Sequence, residues 1–308
     1  MKDKIKVIAV VGPTASGKST LAIALAKEFD GEIVSCDSMQ IYREMDIGTA
    51  KASPAEREEV PHHLLDTTDP MEKCDLCDFA KMAHDAIADI VARGKTPILC
   101  GGTGLYVDNI LYDTTLSEAS GDEEYRKSLD DKTNDELYEM LKAVDPVCAE
   151  ANHKNNRRRV VRALEIFHTT GKTKTEWDAA SRTKTPRYDA LIIGLCAADR
   201  EFLYRRIEVR VDEMMAMGLA EEVARLYPKM GSTAAQAIGY KEIWRAISGE
   251  CTMQEAVEEL KTATRRYAKR QLTWFRANPA VAWMDISTLE AGQLREQAVS
   301  LAKAHLEG

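Results

Sequence analysis

Short apolar runs alternate along the chain with longer stretches whose apolar residues recur every three to four positions. The runs Ile5-Lys6-Val7-Ile8-Ala9-Val10-Val11, Glu32-Ile33-Val34-Ser35-Cys36, Thr96-Pro97-Ile98-Leu99-Cys100, Ala190 to Leu195 and Val281 to Asp285 have the length and composition of buried strands. Pro61 to Asp66 reads as a shorter strand entering a loop. Between these runs the spacing predicts helices. One follows from Leu21. A second spans Leu76 to Arg93, with Phe79, Met82, Ala83, Ile87, Ile90 and Val91 near helical spacing. A third opens at Asp199-Arg200 and runs to Met217, carrying Phe202, Leu203, Ile207, Val211, Met214 and Met215. Leu219 to Tyr227 continues as another. Thr252-Met253-Gln254-Glu255 is a capping box that starts a long helix to about Ala277, and Ser287 to His305 closes the chain. Pro54 to Glu59 reads as a polar, mobile stretch. Strands alternating with helices predict a parallel sheet, whose ligands sit beyond the carboxyl ends of the strands.

The first run ends in Gly12-Pro13-Thr14-Ala15-Ser16-Gly17-Lys18-Ser19, which is G-x-x-x-x-G-K-[ST], and a helix follows. Strand, glycine loop and helix in that order make a phosphate cradle. Its inward N–H groups and the positive helix end attract an anion, Lys18 adds a point charge, and the Ser19 hydroxyl suits Mg²⁺. The second strand delivers Asp37-Ser38-Met39-Gln40 to the same sheet edge. There Asp37 reads either as a carboxylate facing substrate or as a cap on a following short helix. Gly101-Gly102-Thr103-Gly104 is a further turn at that edge. It reads either as a second source of N–H groups with the Thr103 hydroxyl, or as plain strand-to-helix turning.

Character changes at Thr114. Ser117 to Glu150 carries eleven acids and four bases, with a capping box at Thr133 to Glu136. Lys154 to Arg187 carries ten bases and three acids. Residues 114–189 therefore read as an insertion into an α/β core formed by 1–113 and 190–308. A second basic surface lies on the long helix, where Lys261 to Arg276 has six bases and no acid. Arg265, Lys269, Thr273 and Arg276 share one stripe, and Tyr267, Gln271 and Trp274 form its neighbour. The 308-residue chain has 42 basic and 50 acidic residues, a net charge of −8. Two basic surfaces on an acidic protein point to a polyanion partner. Trp177 and Tyr188, among the bases, are expected to stack on unpaired nucleotides.

Seven cysteines form no even framework, and Cys74-Asp75-Leu76-Cys77 lacks the second pair that a zinc site needs. No apolar run is long enough to span a membrane. The first strand begins too early to leave room for a signal peptide, so a cytoplasmic location with reduced thiols is expected.

Collinear segments then carry a resemblance. They are the loop Gly12 to Ser19, Ser35-Cys36-Asp37-Ser38-Met39-Gln40-Ile41-Tyr42, Met45 to Lys51, Pro61 to Asp66, Gly101 to Tyr106, Asn156 to Glu165, Ala237 to Glu242, and Lys269-Arg270-Gln271-Leu272-Thr273-Trp274-Phe275-Arg276. Together they resemble the tRNA dimethylallyltransferase family over nearly the whole chain. The resemblance implies an α/β, P-loop NTPase-like parallel sheet core with a mainly helical insertion that binds tRNA and a helical C-terminal region. It implies transfer of dimethylallyl from dimethylallyl diphosphate to N6 of adenosine 37 in tRNA, with Mg²⁺ as cofactor. Asp37 would be the general base, and Lys18 and Thr103 would stand with it at the catalytic centre. Gly12, Pro13, Thr14, Ala15, Ser16, Gly17, Lys18 and Ser19, with Arg206 and Arg210, would hold the diphosphate. The tRNA anticodon stem-loop would meet Asp37, Ser38, Met39, Gln40, Thr103, Arg126, Arg158, Arg159, Arg162, Gln236, Gly239, Tyr240, Lys241, Lys269, Arg270, Gln271, Thr273, Trp274 and Arg276. A monomer is expected. The rival readings are a small-molecule kinase using ATP in the same cradle and a nucleic-acid-binding ATPase.

Overall fold

A computed structural model of the chain describes residues 4–113, 121–181 and 185–308. They form two compact units, one of residues 1–111 with 187–308 and one of residues 112–186. The larger unit is built on six parallel strands: β1 (Lys6–Val11), β2 (Gly31–Ser35), β3 (His62–His63), β4 (Thr96–Gly101), β7 (Asp189–Cys196) and β8 (Val281–Asp285). Their order is β3-β2-β4-β1-β7-β8. The smaller unit contributes β5 (Tyr112–Asp113) and β6 (Thr185–Pro186), paired antiparallel.

Central position explains the apolar run that opens the chain. β1 pairs with β4 on one side and β7 on the other, and Val7 to Val11 are wholly buried. A strand covered on both faces has no polar side to present, so its sequence does not alternate. Leu21, Ala22 and Leu25 of the Lys18–Glu28 helix join Ile8, Val10, Ile33 and Ile98 in one core. Ala298 and Ala302 of the Ala291–Glu307 helix close that core.

Three expectations are corrected. Pro54–Glu59 is a helix, because Ser53 and Glu56 form a reciprocal capping box and Pro54 sits at its first turn. Asp189 is no part of the insertion: it opens β7, in register with Lys6 of β1. Trp177 and Tyr188 are not stacking platforms. Trp177 is buried against Ile166, and Tyr188 is buried with its hydroxyl on His84 Nδ1 at 2.8 Å. The expected change of character at Thr114 lies outside the described residues.

The larger unit leaves and resumes at one place. Arg187 N donates to Leu111 O at 2.9 Å, and next to them in sequence Tyr112 pairs with Pro186. In the smaller unit Leu137, Leu141, Val160, Ala163 and Leu164 form a separate apolar core.

A buried carboxylate fixes the loop after β2. Glu222 accepts from the backbone N–H groups of Asp46, Ile47 and Gly48 at 3.1, 2.8 and 2.9 Å, and from the Tyr240 hydroxyl at 2.5 Å. Lys51, its side chain wholly buried, donates to Tyr42 O, Asp46 and Asp66. Replacing Glu222 strands several buried donors, each costing about 1–3 kcal/mol. Glu222→Ala should therefore destabilise the protein by about 3 kcal/mol or more, and Glu222→Gln by less. Thermal melting reads the loss, and hydrogen exchange should show it concentrated at residues 46–48; unchanged protection there would mean that the loop holds without Glu222.

Candidate active site

The carboxyl ends of β1, β2 and β4 lie side by side because β4 separates the other two and all three run parallel. The glycine loop, the Asp37 loop and the Gly102–Thr103 turn therefore share one edge. The glycine loop needs its glycine at the first position. Gly12 has φ 141°, and a Cβ there would come within 2.6 Å of Leu195 O. Arg206 Nε donates to Ala15 O at 2.7 Å, so one edge of this guanidinium braces the loop while its Nη2 lies beside Gly17.

Two of the loop's backbone donors are already used. Thr14 N donates to Gln271 Oε1 at 2.8 Å, and Ser16 N to Pro13 O at 3.4 Å. The expected anion-binding set thus narrows: Thr14 N is committed to a side chain of the Met253–Arg276 helix. The Ser16 hydroxyl is buried without a partner among the described residues, a donor awaiting an acceptor. Lys18 Nζ donates to Pro13 O at 2.6 Å. Burial lowers Lys18 to about 8; the neighbouring Cys100 thiol raises it, Arg210 lowers it and Asp37 raises it. Burial also lowers Arg210, and the charge of Asp37 opposes that shift. The hydroxyl of Ser19 interacts with the Cys100 thiol, which burial pushes up to about 11.

Asp37 closes a turn by accepting from Met39 N at 2.9 Å. Its second oxygen has no hydrogen-bond partner among the described residues, and what it closes is a turn rather than the expected short helix. Thr103 Oγ1 accepts from Ser38 N at 3.4 Å and lies 3.5 Å from the Tyr267 hydroxyl. Gln40 is committed: its amide bonds the carbonyls of Thr49 and Ala50 and its oxygen accepts from Ser35.

Several residues expected at an RNA surface have other work. Gln271 is buried and bridges Thr14 N to Gly102 O, at 2.8 and 3.0 Å. Tyr240 is wholly buried on Glu222, and Gly239 is buried beside it. All three are buried and engaged within the protein, which leaves them little surface to offer a partner. Exposed side chains on this unit are Gln236, Lys269, Arg270, Thr273, Trp274 and Arg276, with Lys241 partly so. Trp274 donates to Asp108 at 2.9 Å, and Arg270 lies over the Tyr267 ring. In the smaller unit, Arg126 and Arg162 both pair with the buried Glu165. Arg158 and Arg159 are exposed and make no ion pair among the described residues.

Tyr267 and Glu222 were not singled out in the sequence as site residues. Tyr267 could have been, since it stands one helical turn from Gln271 and on the face that meets the glycine loop. Glu222 had no signal beyond an acid among the apolar residues of Leu219–Leu226.

The sequence pattern of the IPP transferase family matches residues 40–278. A tRNA dimethylallyltransferase of Anoxybacillus flavithermus is 50% identical over 284 residues, 92% of this chain and 91% of that protein. One from Geobacillus thermodenitrificans is 50% identical over 291 residues, 92% of each. The crystal structure of a tRNA isopentenylpyrophosphate transferase from Bacillus halodurans is 41% identical, covers 99% of this chain and 97% of its own, and superposes with a TM-score of 0.75. A eukaryotic dimethylallyltransferase acting on tRNA is 32% identical, covers 98% of this chain and 80% of its own, and gives a TM-score of 0.83.

The lowered Lys18 makes anion binding proton-linked. Lys18 is charged below about 8 and loses its proton above that. A bound polyanion favours the charged form, so affinity should be flat below that pH and fall as pH rises through it. At pH 8.5 pyrophosphate binding should take up a fraction of a proton that Lys18→Gln does not. Titration calorimetry in buffers of different ionisation enthalpy measures this; equal uptake in the two proteins would exclude Lys18 as the linked group.

Proposed function

The chain belongs to the IPP transferase family, and from that premise we propose that it transfers a dimethylallyl group from dimethylallyl diphosphate to N6 of adenosine 37 in tRNA. The observation that carries the reading is electrostatic. The charge of Asp37, at the end of β2, bears on both Lys18 and Arg210 beside the glycine loop. A crevice with one acid facing a cationic cradle suits a reaction in which diphosphate leaves one side and a proton leaves the other.

Adenine N6 is a weak nucleophile, because its lone pair is delocalised into the ring. Breaking the carbon–oxygen bond to diphosphate is therefore the step to assist. The backbone N–H groups of Ala15, Gly17, Lys18 and Ser19, the Ser16 hydroxyl and the Lys18 ammonium stabilise the charge that grows on the leaving oxygens. Arg206 and Arg210 add cationic groups at the same loop. As the carbon–nitrogen bond forms, the free oxygen of Asp37 takes the N6 proton. The base reaches this site by leaving its stack, which is cheap in a single-stranded loop.

Mg²⁺ fits as a partner of the diphosphate rather than of the protein alone. Among the described residues no group of three or more His, Cys, Asp or Glu could hold a metal ion. Ser19, exposed at the loop, offers one oxygen. Mg²⁺ commonly takes few protein oxygens and completes its shell with phosphate and water. It would supply neutralising charge to the diphosphate.

The tRNA anticodon stem-loop is assigned to exposed cations, Arg158 and Arg159 of the smaller unit and Lys269, Arg270 and Arg276 of the larger one. Arg126 and Arg162 serve it indirectly by holding Glu165.

Mixing the protein with Mg²⁺, unmodified tRNA and either dimethylallyl diphosphate or ATP should give prenylated tRNA without ATP consumption. ATP turnover without prenylated product would establish a kinase or ATPase instead. Asp37→Ala should lower turnover by about 10²–10⁴-fold while tRNA affinity stays near that of the unaltered protein; an equal loss of affinity would make Asp37 a binding residue. Replacing Arg158 and Arg159 together by Ala should weaken tRNA binding and flatten its salt dependence. A salt slope that does not move would show these arginines to be a solvated face.

A further inference from the structure

The amide of Gln271 cannot flip. Thr14 N–H can only donate and Gly102 O can only accept, so Oε1 faces the first and Nε2 the second. A second Nε2 hydrogen remains, and this amide also interacts with the hydroxyl of Tyr267, one helical turn earlier. The phenol lies 3.5 Å from Thr103 Oγ1, where either oxygen can be the donor, and with the phenol oxygen already accepting from the amide its own proton is the one left for Thr103. Thr103 Oγ1 already accepts from Ser38 N at 3.4 Å. A threonine hydroxyl has two lone pairs and one proton. With Tyr267 as the donor, Ser38 and Tyr267 occupy both lone pairs, and the Thr103 proton is left for a ligand.

We infer that Tyr267 is a positioning residue that turns the Thr103 hydroxyl into a fixed donor beside the carboxylate of Asp37, and so sets the crevice to read adenine. This rests on the transferase reading above. Asp37 accepts and Thr103 donates. Adenine presents the matching pair, a donor at N6 and an acceptor at N1. Guanine presents the reverse, an acceptor at O6 and a donor at N1. Burial and the charge of Asp37 lift Tyr267 to about 12, so it keeps its proton across the working range. The Gln271 amide that starts this chain also holds Thr14 of the glycine loop, so one helix face aligns the diphosphate cradle and the base-reading group.

The test compares kcat/KM on an anticodon stem-loop carrying adenosine or 1-deazaadenosine at the target position. The second base replaces the N1 acceptor with C–H. Its altered N6 reactivity is common to all variants and cancels when their ratios are compared. The unaltered protein should prefer adenosine. Thr103→Val should reduce that preference by about 10-fold, the scale of one hydrogen bond. Tyr267→Phe should reduce it by about 3-fold or more in the same direction, and the double variant no further than Thr103→Val. Thr103→Ser, which keeps the hydroxyl, should retain it. Melting temperatures establish that each variant is folded. If Tyr267→Phe slows both substrates equally and leaves their ratio unchanged, Tyr267 only packs and the inference falls. An unchanged ratio in Thr103→Val overturns it as well. No transfer to the adenosine stem-loop by the unaltered protein would overturn the transferase reading itself, and the inference with it.

Discussion

A single buried amide holds the two loops that matter most at the same height. Gln271 takes a hydrogen bond from the loop after β1 and gives one to the turn after β4, from a helix that begins about 240 residues after the first loop. Neither loop has regular partners of its own at these atoms. Backbone groups in such turns stay put only where something saturates them, since an unsatisfied buried donor or acceptor costs about 1–3 kcal/mol. The bridge also needs room. A Cβ at Gly102 would come within 2.1 Å of the amide nitrogen, so the close approach requires glycine at that position.

The same economy runs through the remaining polar interior. Glu222 satisfies three consecutive backbone donors and a phenol, and Lys51 satisfies a carbonyl and two carboxylates. Neither network touches the crevice. Both restrain the segment that follows Asp37, and a side chain is only as well placed as the loop that carries it. Two of the collinear segments, Met45 to Lys51 and Ala237 to Glu242, are joined through Glu222, which accepts hydrogen bonds from both.

Much of the sheet was legible because strand burial imposes a composition. Val7 to Val11 could hardly be anything but a central strand, and the G-x-x-x-x-G-K-[ST] pattern marked the loop between that strand and the helix that opens at Lys18. Asp37 was legible as a position, at a strand's carboxyl end, but not as a role, because a cap and a base use the same side chain. What escaped was everything decided by distant partners. Pro54 to Glu59 looked like a mobile stretch because its helix is capped rather than amphipathic. Tyr240, Gln271 and Trp177 looked like contact residues because type and neighbourhood do not reveal which way a side chain points. Trp177 sits among bases in sequence and against Ile166 in space. The arginines of Asn156 to Glu165 read as one basic cluster, yet Glu165 at its end pairs with Arg162, and with Arg126 from outside the run, while Arg158 and Arg159 stay exposed.

The hydrogen bond from Arg187 to Leu111 has a consequence for how such a protein can diversify. The chain departs from the sheet-bearing unit and returns to it across one bonded pair of residues, and the intervening segment has its own apolar centre. Every strand pairing of the main sheet is made without it. Its length and surface charge can therefore drift, or be exchanged wholesale, while the chemistry at the sheet edge keeps its geometry. The two apolar cores are thus separable inheritances within one gene product.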